Sequence, residues 1–193
     1  MSSPGRGGAR VEADRYYTPT RLAEAIVERI GVEPGTIALE PSAGAGAFVV
    51  ALTHRKADVY AVDMDPGAEA FGRLGRSRKS VQQFEAPLPG EWPRPSLILG
   101  NPPFSCAEAH VRRALDVVAP GGRVVFLLRL AFLEGRVRAN LWRDHTPSEV
   151  IVLVERPSFT GQGTDSCAYG VFVWMSEARK RAPTLSWLSW RSK

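Results

Sequence analysis

The feature that most restricts this chain is a short apolar run turning directly into a glycine loop. Thr36-Ile-Ala-Leu-Glu40 is followed by Pro41-Ser-Ala-Gly-Ala-Gly46 and then by an apolar stretch through Leu52. An apolar run of this length stopped by Pro and Gly reads as a buried strand, and the stretch after it as a helix. Similar units follow along the chain. Residues 58–63 predict a second strand ending in Asp63-Met-Asp-Pro66, with a weak helix to about Leu74. Residues 96–100 predict another, closing on Asn101-Pro-Pro-Phe104, with a helix over 106–118 stopped by Pro120-Gly-Gly122. A strand over 123–130 and a helix over 134–143 complete the series, and the polar, Pro-rich stretch 75–95 holds one short strand near 81–84.

Two flanks finish the outline. Ahead of the first strand, Leu22, Ile26 and Ile30 recur every four residues, so 18–30 predicts a helix with Thr18 as its cap and Pro19 in its first turn. Near the other end, 149–154 and 168–175 are both β-prone with no convincing helix between them. Strands alternating with helices predict an α/β fold with a Rossmann-like, doubly wound, mostly parallel sheet, and the final pair predicts an antiparallel edge hairpin.

At 193 residues and 44% hydrophobic, the chain fits one domain and is not disordered throughout. The expected division is a flexible N-terminal tail over 1–14, a domain over 15–177 and a basic C-terminal tail over 178–193. No apolar stretch reaches the length of a membrane span, and the first 14 residues lack the apolar segment of a signal peptide. Cys106 and Cys167 are too few for a disulfide framework, which points to a reducing, cytoplasmic compartment. Five of the 25 basic residues lie in 178–193, where no acid occurs, so 1–177 balances 20 bases against 20 acids. Any grip on a polyanion therefore has to come from local clusters such as Arg73, Arg76, Arg78 and Lys79, or from the tail. For both, a solvated surface is the plain alternative.

Ligands of open α/β sheets bind outside the C-terminal ends of the strands, and three conspicuous features stand there. In the first loop, Gly44 and Gly46 permit positive φ and close approach of a ligand to the main chain. The spacing is not the dinucleotide fingerprint, because Val49 occupies the third glycine position, and no Lys-Ser/Thr follows to make a P-loop. The loop alone fits either a ligand cradle or an ordinary tight turn. Asp63, ending the second strand, can accept both hydroxyl hydrogens of a ribose. A helix cap is its alternative role, one that Asp65 before Pro66 fills better.

The third feature is Asn101-Pro-Pro-Phe104. Two prolines stiffen the loop and remove two donors, so its carbonyls need outside partners. The Asn101 oxygen and the Pro102 carbonyl can accept the two hydrogens of an exocyclic NH2, while Phe104 offers a flat face to the ring that carries it. A rigid loop with a core Phe is the competing reading. His54, His110 and His145 are too far apart in the chain, with no i,i+4 or Cys partner, to suggest a metal site.

Tyr16-Tyr-Thr-Pro19, Glu40-Pro-Ser-Ala-Gly-Ala-Gly46, Ala61-Val-Asp-Met-Asp-Pro66 and Asn101-Pro-Pro-Phe104 resemble, in order, the motifs of S-adenosylmethionine-dependent N6-adenine DNA methyltransferases. The resemblance runs from Tyr16 to about Met175. It implies S-adenosylmethionine as cofactor, with Thr18 at its methionine end. Glu40, Ser42, Gly44 and Gly46 would line the methionine and ribose region, Asp63 would hold the ribose hydroxyls and Met64 would pack on the adenine. The family's Asp-Phe pair, which reads that adenine, has its nearest counterpart in Gln83-Phe84. Asn101, Pro102, Pro103 and Phe104 would be the catalytic loop.

The activity so implied is methyl transfer to the N6 amino group of adenine in DNA. With 89 residues after Phe104 and no long insertion, the expectation is a short form of relaxed or short sequence preference, or one whose specificity comes from a partner or a second copy. Two alternatives stand beside it. One is a methyltransferase for RNA bases or protein glutamine, which also present a planar NH2; the other is a silent cofactor- or DNA-binding subunit. The glycine-rich segment 159–166 reads as a substrate loop or a plain hairpin connection, and Trp187 and Trp190 as base-stacking or docked side chains.

Overall fold

A computed structural model describes residues 17–159, 165–177 and 182–191. The expected N-terminal tail, Tyr16, the centre of the glycine-rich segment (160–164) and the tail cations Arg179, Lys180, Arg181 and Lys193 lie outside the described residues. Among the described residues, eight strands form one sheet: β1 (Ile37–Glu40), β2 (Asp58–Asp63), β3 (Lys79–Val81), β4 (Leu97–Gly100), β5 (Arg123–Arg129), β6 (Glu149–Leu153), β7 (Tyr169–Met175) and β8 (Thr184–Leu188). Their order is β3-β2-β1-β4-β5-β7-β6-β8. Only β7 runs against its neighbours, pairing antiparallel with β5 and β6; every other pairing is parallel. This is the class I methyltransferase fold, with the predicted β6–β7 hairpin at one side and β8 one strand beyond it.

The helices cover both faces, as a parallel sheet buried on two sides requires. On one face, Leu22, Ala23, Ile26 and Val27 of α1 (Thr20–Ile30) and Phe48, Val49, Ala51 and Leu52 of α2 (Ala47–His54) pack over Ala38, Leu97 and Val125. On the other, Ala107, Val111 and Ala114 of α3 (Ala107–Val117) and Leu141 of α4 (Ala139–Asp144) pack over Leu39, Ile98 and Val124. Leu97, Ile98 and Leu99 are fully buried on alternate faces, which is why that strand has no polar position to mark its period. Arg123 closes the C-terminus of α1 by donating to the carbonyls of Ile30 and Gly31.

Several expectations need correction. Thr18 does not cap α1; the cap position is Pro19, and the Thr18 hydroxyl is engaged by Asn101. The weak helix toward Leu74 is only a 3-10 turn over Glu69–Arg73, in a stretch with glycines at 67, 72 and 75. The short strand is Lys79–Val81 rather than 81–84. The α-helix expected over 134–143 begins at Ala139, because Arg138 turns back to donate to the carbonyls of Phe132 and Glu134. In the stretch expected to be a tail, Thr184–Leu188 pairs with β6. There Trp190 is docked, its indole N–H on the Glu155 carbonyl at 2.9 Å. The basic run is partly committed within the protein, since Arg78 pairs with Asp58 at 3.0 Å and Lys79 donates to the Phe71 carbonyl.

Gly46, just beyond the end of β1, is a close backbone contact. Its φ of 82° is left-handed, and a Cβ there would stand 2.9 Å from the Ala70 Cα. Backbone strain and backbone overlap act together, so Gly46→Ala is expected to lower unfolding stability by about 1–3 kcal/mol, read from the urea midpoint. An unchanged midpoint would contradict this packing.

Candidate functional site

Strand order reverses between β1 and β4: the chain goes outward through β2 and β3 on one side and through β5 on the other. The loops leaving β1 and β4 therefore diverge and open a crevice. A cleft of about 580 Å³ lies there, within the usual range for small-molecule sites. Ser42, Gly44, Asp63, Met64, Gln83 and Phe84 line it, together with all four residues of the Asn101–Phe104 loop. A small recess beside it is lined by Thr18, Glu40 and Gly46, and again by Ser42, Gly44 and Asn101. Every residue that the sequence resemblance assigns to the cofactor site or the catalytic loop thus lines one or the other, although residues 18 and 104 are far apart in the chain.

The loops are fixed by backbone bonds. Asp63 accepts the Gly44 N–H on Oδ2 at 2.8 Å and the Asp65 N–H on Oδ1 at 2.8 Å, joining the loops after β1 and β2. The Ala43 N–H reaches the Val62 carbonyl at 3.1 Å, and the Ala70 N–H reaches the Gly44 carbonyl at 3.2 Å. Each Asp63 oxygen keeps a second lone pair for a ligand hydroxyl. At Gly44, with φ of 48°, an added Cβ would touch the Tyr17 ring at 3.4 Å, so the absence of a side chain keeps this wall low. Met64 is 64% exposed, on the open side of the cleft, while Phe84 is almost wholly buried.

Asn101 donates from Nδ2 to the Thr18 hydroxyl at 3.2 Å, which sets the amide's orientation with Oδ1 as its acceptor end. Phe104 is half-buried, its ring supported by the Arg129 guanidinium 4.2 Å from the centroid and by Tyr169 at 5.8 Å. Arg129 in turn donates to the Tyr169 hydroxyl at 3.2 Å, and that hydroxyl donates to Asp165 at 2.7 Å. Burial is the main cause that pushes the Tyr169 phenol well above its ordinary range, and it stays a donor. Burial opposes ionisation of Asp165, but the hydrogen bonds from Tyr169 and the Cys167 N–H hold its carboxyl below the usual value.

The charge pattern is one-sided. Asp63, Asp65, Glu69 and Glu85 line the cleft, and neither Lys nor Arg does so among the described residues. Such a wall disfavours a phosphate-bearing ligand and favours a cationic one. Glu40 adds to this in the recess. It is 3% exposed, and among the described residues its Oε2 has no hydrogen-bond partner. Burial raises its pKa well above the carboxylate range; the Val49 backbone bond opposes that, and the Asp63 charge adds to it. A buried, half-satisfied carboxyl opening on a recess is suited to an ammonium group.

The sequence reading missed three contributors: Tyr17 in the cleft wall, the Arg129–Tyr169–Asp165 support of Phe104, and His110. His110 lies at 5% exposure between Ser42 and Glu85. The only sequence signal for Arg129 is a cation directly after the apolar run Val124–Leu128.

No protein-family model and no curated protein matches the sequence. Solved structures do. A protein assigned to the class I S-adenosylmethionine-dependent methyltransferases from Listeria monocytogenes superposes with a TM-score of 0.66 at 14% identity, over 95% of this chain and 68% of that one. A modification subunit assigned to a type I restriction enzyme of Vibrio vulnificus YJ016 gives 0.68 at 18%, over 94% and 48%. The type I restriction enzyme EcoKI M protein gives 0.68 at 15%, over 85% and 44%. The chain spans about half the length of these two modification subunits. At such identities the likeness is one of fold.

Glu40 yields a pH prediction. Below about pH 4.3 its carboxyl is protonated in both folded and unfolded chains. As pH rises from there to the raised folded value, the unfolded chain ionises first, so the wild type loses stability. Glu40→Gln is therefore expected to be more stable than wild type at pH 8 by a margin that shrinks toward pH 4, measured by urea unfolding. A margin independent of pH would contradict the burial argument.

Proposed function

We propose that this chain binds S-adenosylmethionine in the cleft and methylates the N6 amino group of adenine in DNA. The observation that carries the reading is the position of Asn101–Phe104. This amine-accepting loop ends the strand at the sheet's switch point and adjoins an acidic cleft without lysine or arginine among the described residues.

The residues present fit the cofactor. The recess offers the Glu40 carboxyl, with its unpartnered oxygen, to an ammonium; Gly44 leaves room at the wall; Asp63 offers lone pairs to ribose hydroxyls. Met64 and Phe84 supply apolar surface to the adenine. When bound, S-adenosylmethionine supplies an electrophilic methyl on a sulfonium centre.

The chain's own part is to present the amine. An adenine amino group is a weak nucleophile because its lone pair is delocalised into the ring. Acceptance of its two hydrogens by Asn101 Oδ1 and the Pro102 carbonyl favours a pyramidal nitrogen, whose lone pair can point at the methyl. The Thr18 bond holds the amide in that orientation, and Arg129 and Tyr169 hold the Phe104 ring on which the base would stack. The product nitrogen sheds one proton to solvent, so the site needs no strong base. Holding the reactants in line supplies most of the rate. In duplex DNA the base must leave the helix, and stacking on Phe104 offsets part of that cost.

DNA is preferred over RNA or protein glutamine because of the Tyr-Thr-Pro opening and because two of the similar structures are modification subunits of restriction enzymes. Sequence preference, on this reading, is short or is supplied by a partner subunit or second copy. With tritiated S-adenosylmethionine and DNA, RNA and protein offered separately, label is expected in DNA and recovered as N6-methyladenine. Asn101→Ala is expected to lower transfer at least roughly 10²-fold while leaving S-adenosylhomocysteine binding within a few-fold. Label appearing only in RNA or protein would overturn the substrate, and DNA labelling that survives Asn101→Ala would overturn the mechanism.

A further inference from the structure

Two loops of the cleft converge on one imidazole. His110, on α3, is 5% exposed. Its Nε2 lies 3.0 Å from Ser42 Oγ in the glycine loop, and its Nδ1 lies 3.0 Å from Glu85 Oε1, in the segment after β3. The Glu85 contact is a close ion-pair distance more than a straight hydrogen bond. The ring also leans on Phe84, centroids 5.3 Å apart.

The order of these groups decides where protons sit. Burial pushes the His110 pKa down, against the opposing pull of Glu85, so the ring is neutral and carries one N–H at neutral pH. A carboxylate beside Nδ1 favours the proton there. Nε2 is then an acceptor, the Ser42 hydroxyl has to donate to it, and the Ser42 oxygen is left with lone pairs only. Ser42 lines both the cleft and the recess.

We propose that Glu85 and His110 are positioning residues that polarise Ser42, turning its hydroxyl into an acceptor for an N–H or O–H donor of the bound ligand. The same three groups in line resemble a serine nucleophile with its base and orienting acid. That role would need oxyanion donors nearby, and the neighbouring N–H groups of Ala43, Gly44 and Gly46 are already bonded to Val62, Asp63 and Ala43. Ser42 is an acceptor and not an attacking group.

The proposal rests on the cofactor reading for the identity of the ligand, but not for the tautomer. Protein labelled with 15N-histidine, studied without ligand by long-range proton–nitrogen NMR, reads the tautomer directly. The chain has three histidines, and His110→Gln assigns the signal. His110 is expected to carry its proton on Nδ1, and Glu85→Ala to shift the population toward Nε2–H. A wild-type proton on Nε2, or a tautomer indifferent to Glu85→Ala, would overturn the relay.

Calorimetric titration with S-adenosylhomocysteine gives the second arm. Ser42→Ala and Glu85→Ala should each weaken binding about tenfold, with Ser42→Thr restoring most of it. A loss also seen with adenosine places the donor on the ribose; a loss seen only with S-adenosylhomocysteine places it on the amino-acid end. No loss in Ser42→Ala with either ligand would overturn the acceptor role. Wild-type protein that binds neither ligand would overturn the cofactor reading and the ligand's part of this proposal, while the NMR result would still judge the tautomer.

Discussion

The Asp63 carboxylate, with one oxygen on the Gly44 N–H and the other on the Asp65 N–H, makes one site out of two strand ends. It adds a side-chain clamp to the two backbone bonds that also join these loops, from the Ala43 N–H to the Val62 carbonyl and from the Ala70 N–H to the Gly44 carbonyl. Gly46 completes the closure, because only an absent side chain lets the start of α2 lie against Ala70. The cleft follows from these contacts and from the reversal of strand order beside β1. The sheet core, with Leu97, Ile98 and Leu99 fully buried, supplies the stiffness behind it.

On that frame the electrostatics are consistent in sign. Acidic side chains gather along the cleft, and Arg129, beside the Asn101–Phe104 loop, is turned to the Phe104 ring and the Tyr169 hydroxyl rather than into the cleft. A site of this sign selects against phosphates and suits a ligand that is itself positive. The Asn101–Phe104 loop is neutral and rich in acceptors, which suits the proposed presentation of an NH2. These two chemistries meet at Asn101, which belongs to both the cleft and the recess.

Much of this was legible in the sequence, for physical reasons. β1, β2 and β4 are apolar runs cut off by Pro, Gly or an acid, and the ligand loops of an open parallel sheet stand at such cut-off points. β8 was not legible, because Leu185 and Trp187 stay exposed there and a partly exposed outer strand has no buried face for its pattern to report. Thr18 looked like a cap because propensity knows nothing of Asn101, whose amide is 83 positions away and takes the hydroxyl. His110 looked inert for the same reason. Its partner Ser42 is 68 positions away, and only the winding of β1 and β4 around the switch point brings α3 to the glycine loop. The Arg129–Tyr169 pairing likewise depends on the antiparallel register of β5 with β7.

On the proposed function, one cleft holds the cofactor against the Asn101–Phe104 loop. A crystal structure of the chain with S-adenosylhomocysteine tests it most directly. The ribose hydroxyls are expected on Asp63, the ammonium toward Glu40 and the sulfur facing the Asn101 side chain. A ligand seated elsewhere, or with its sulfur turned away from Asn101, would contradict it.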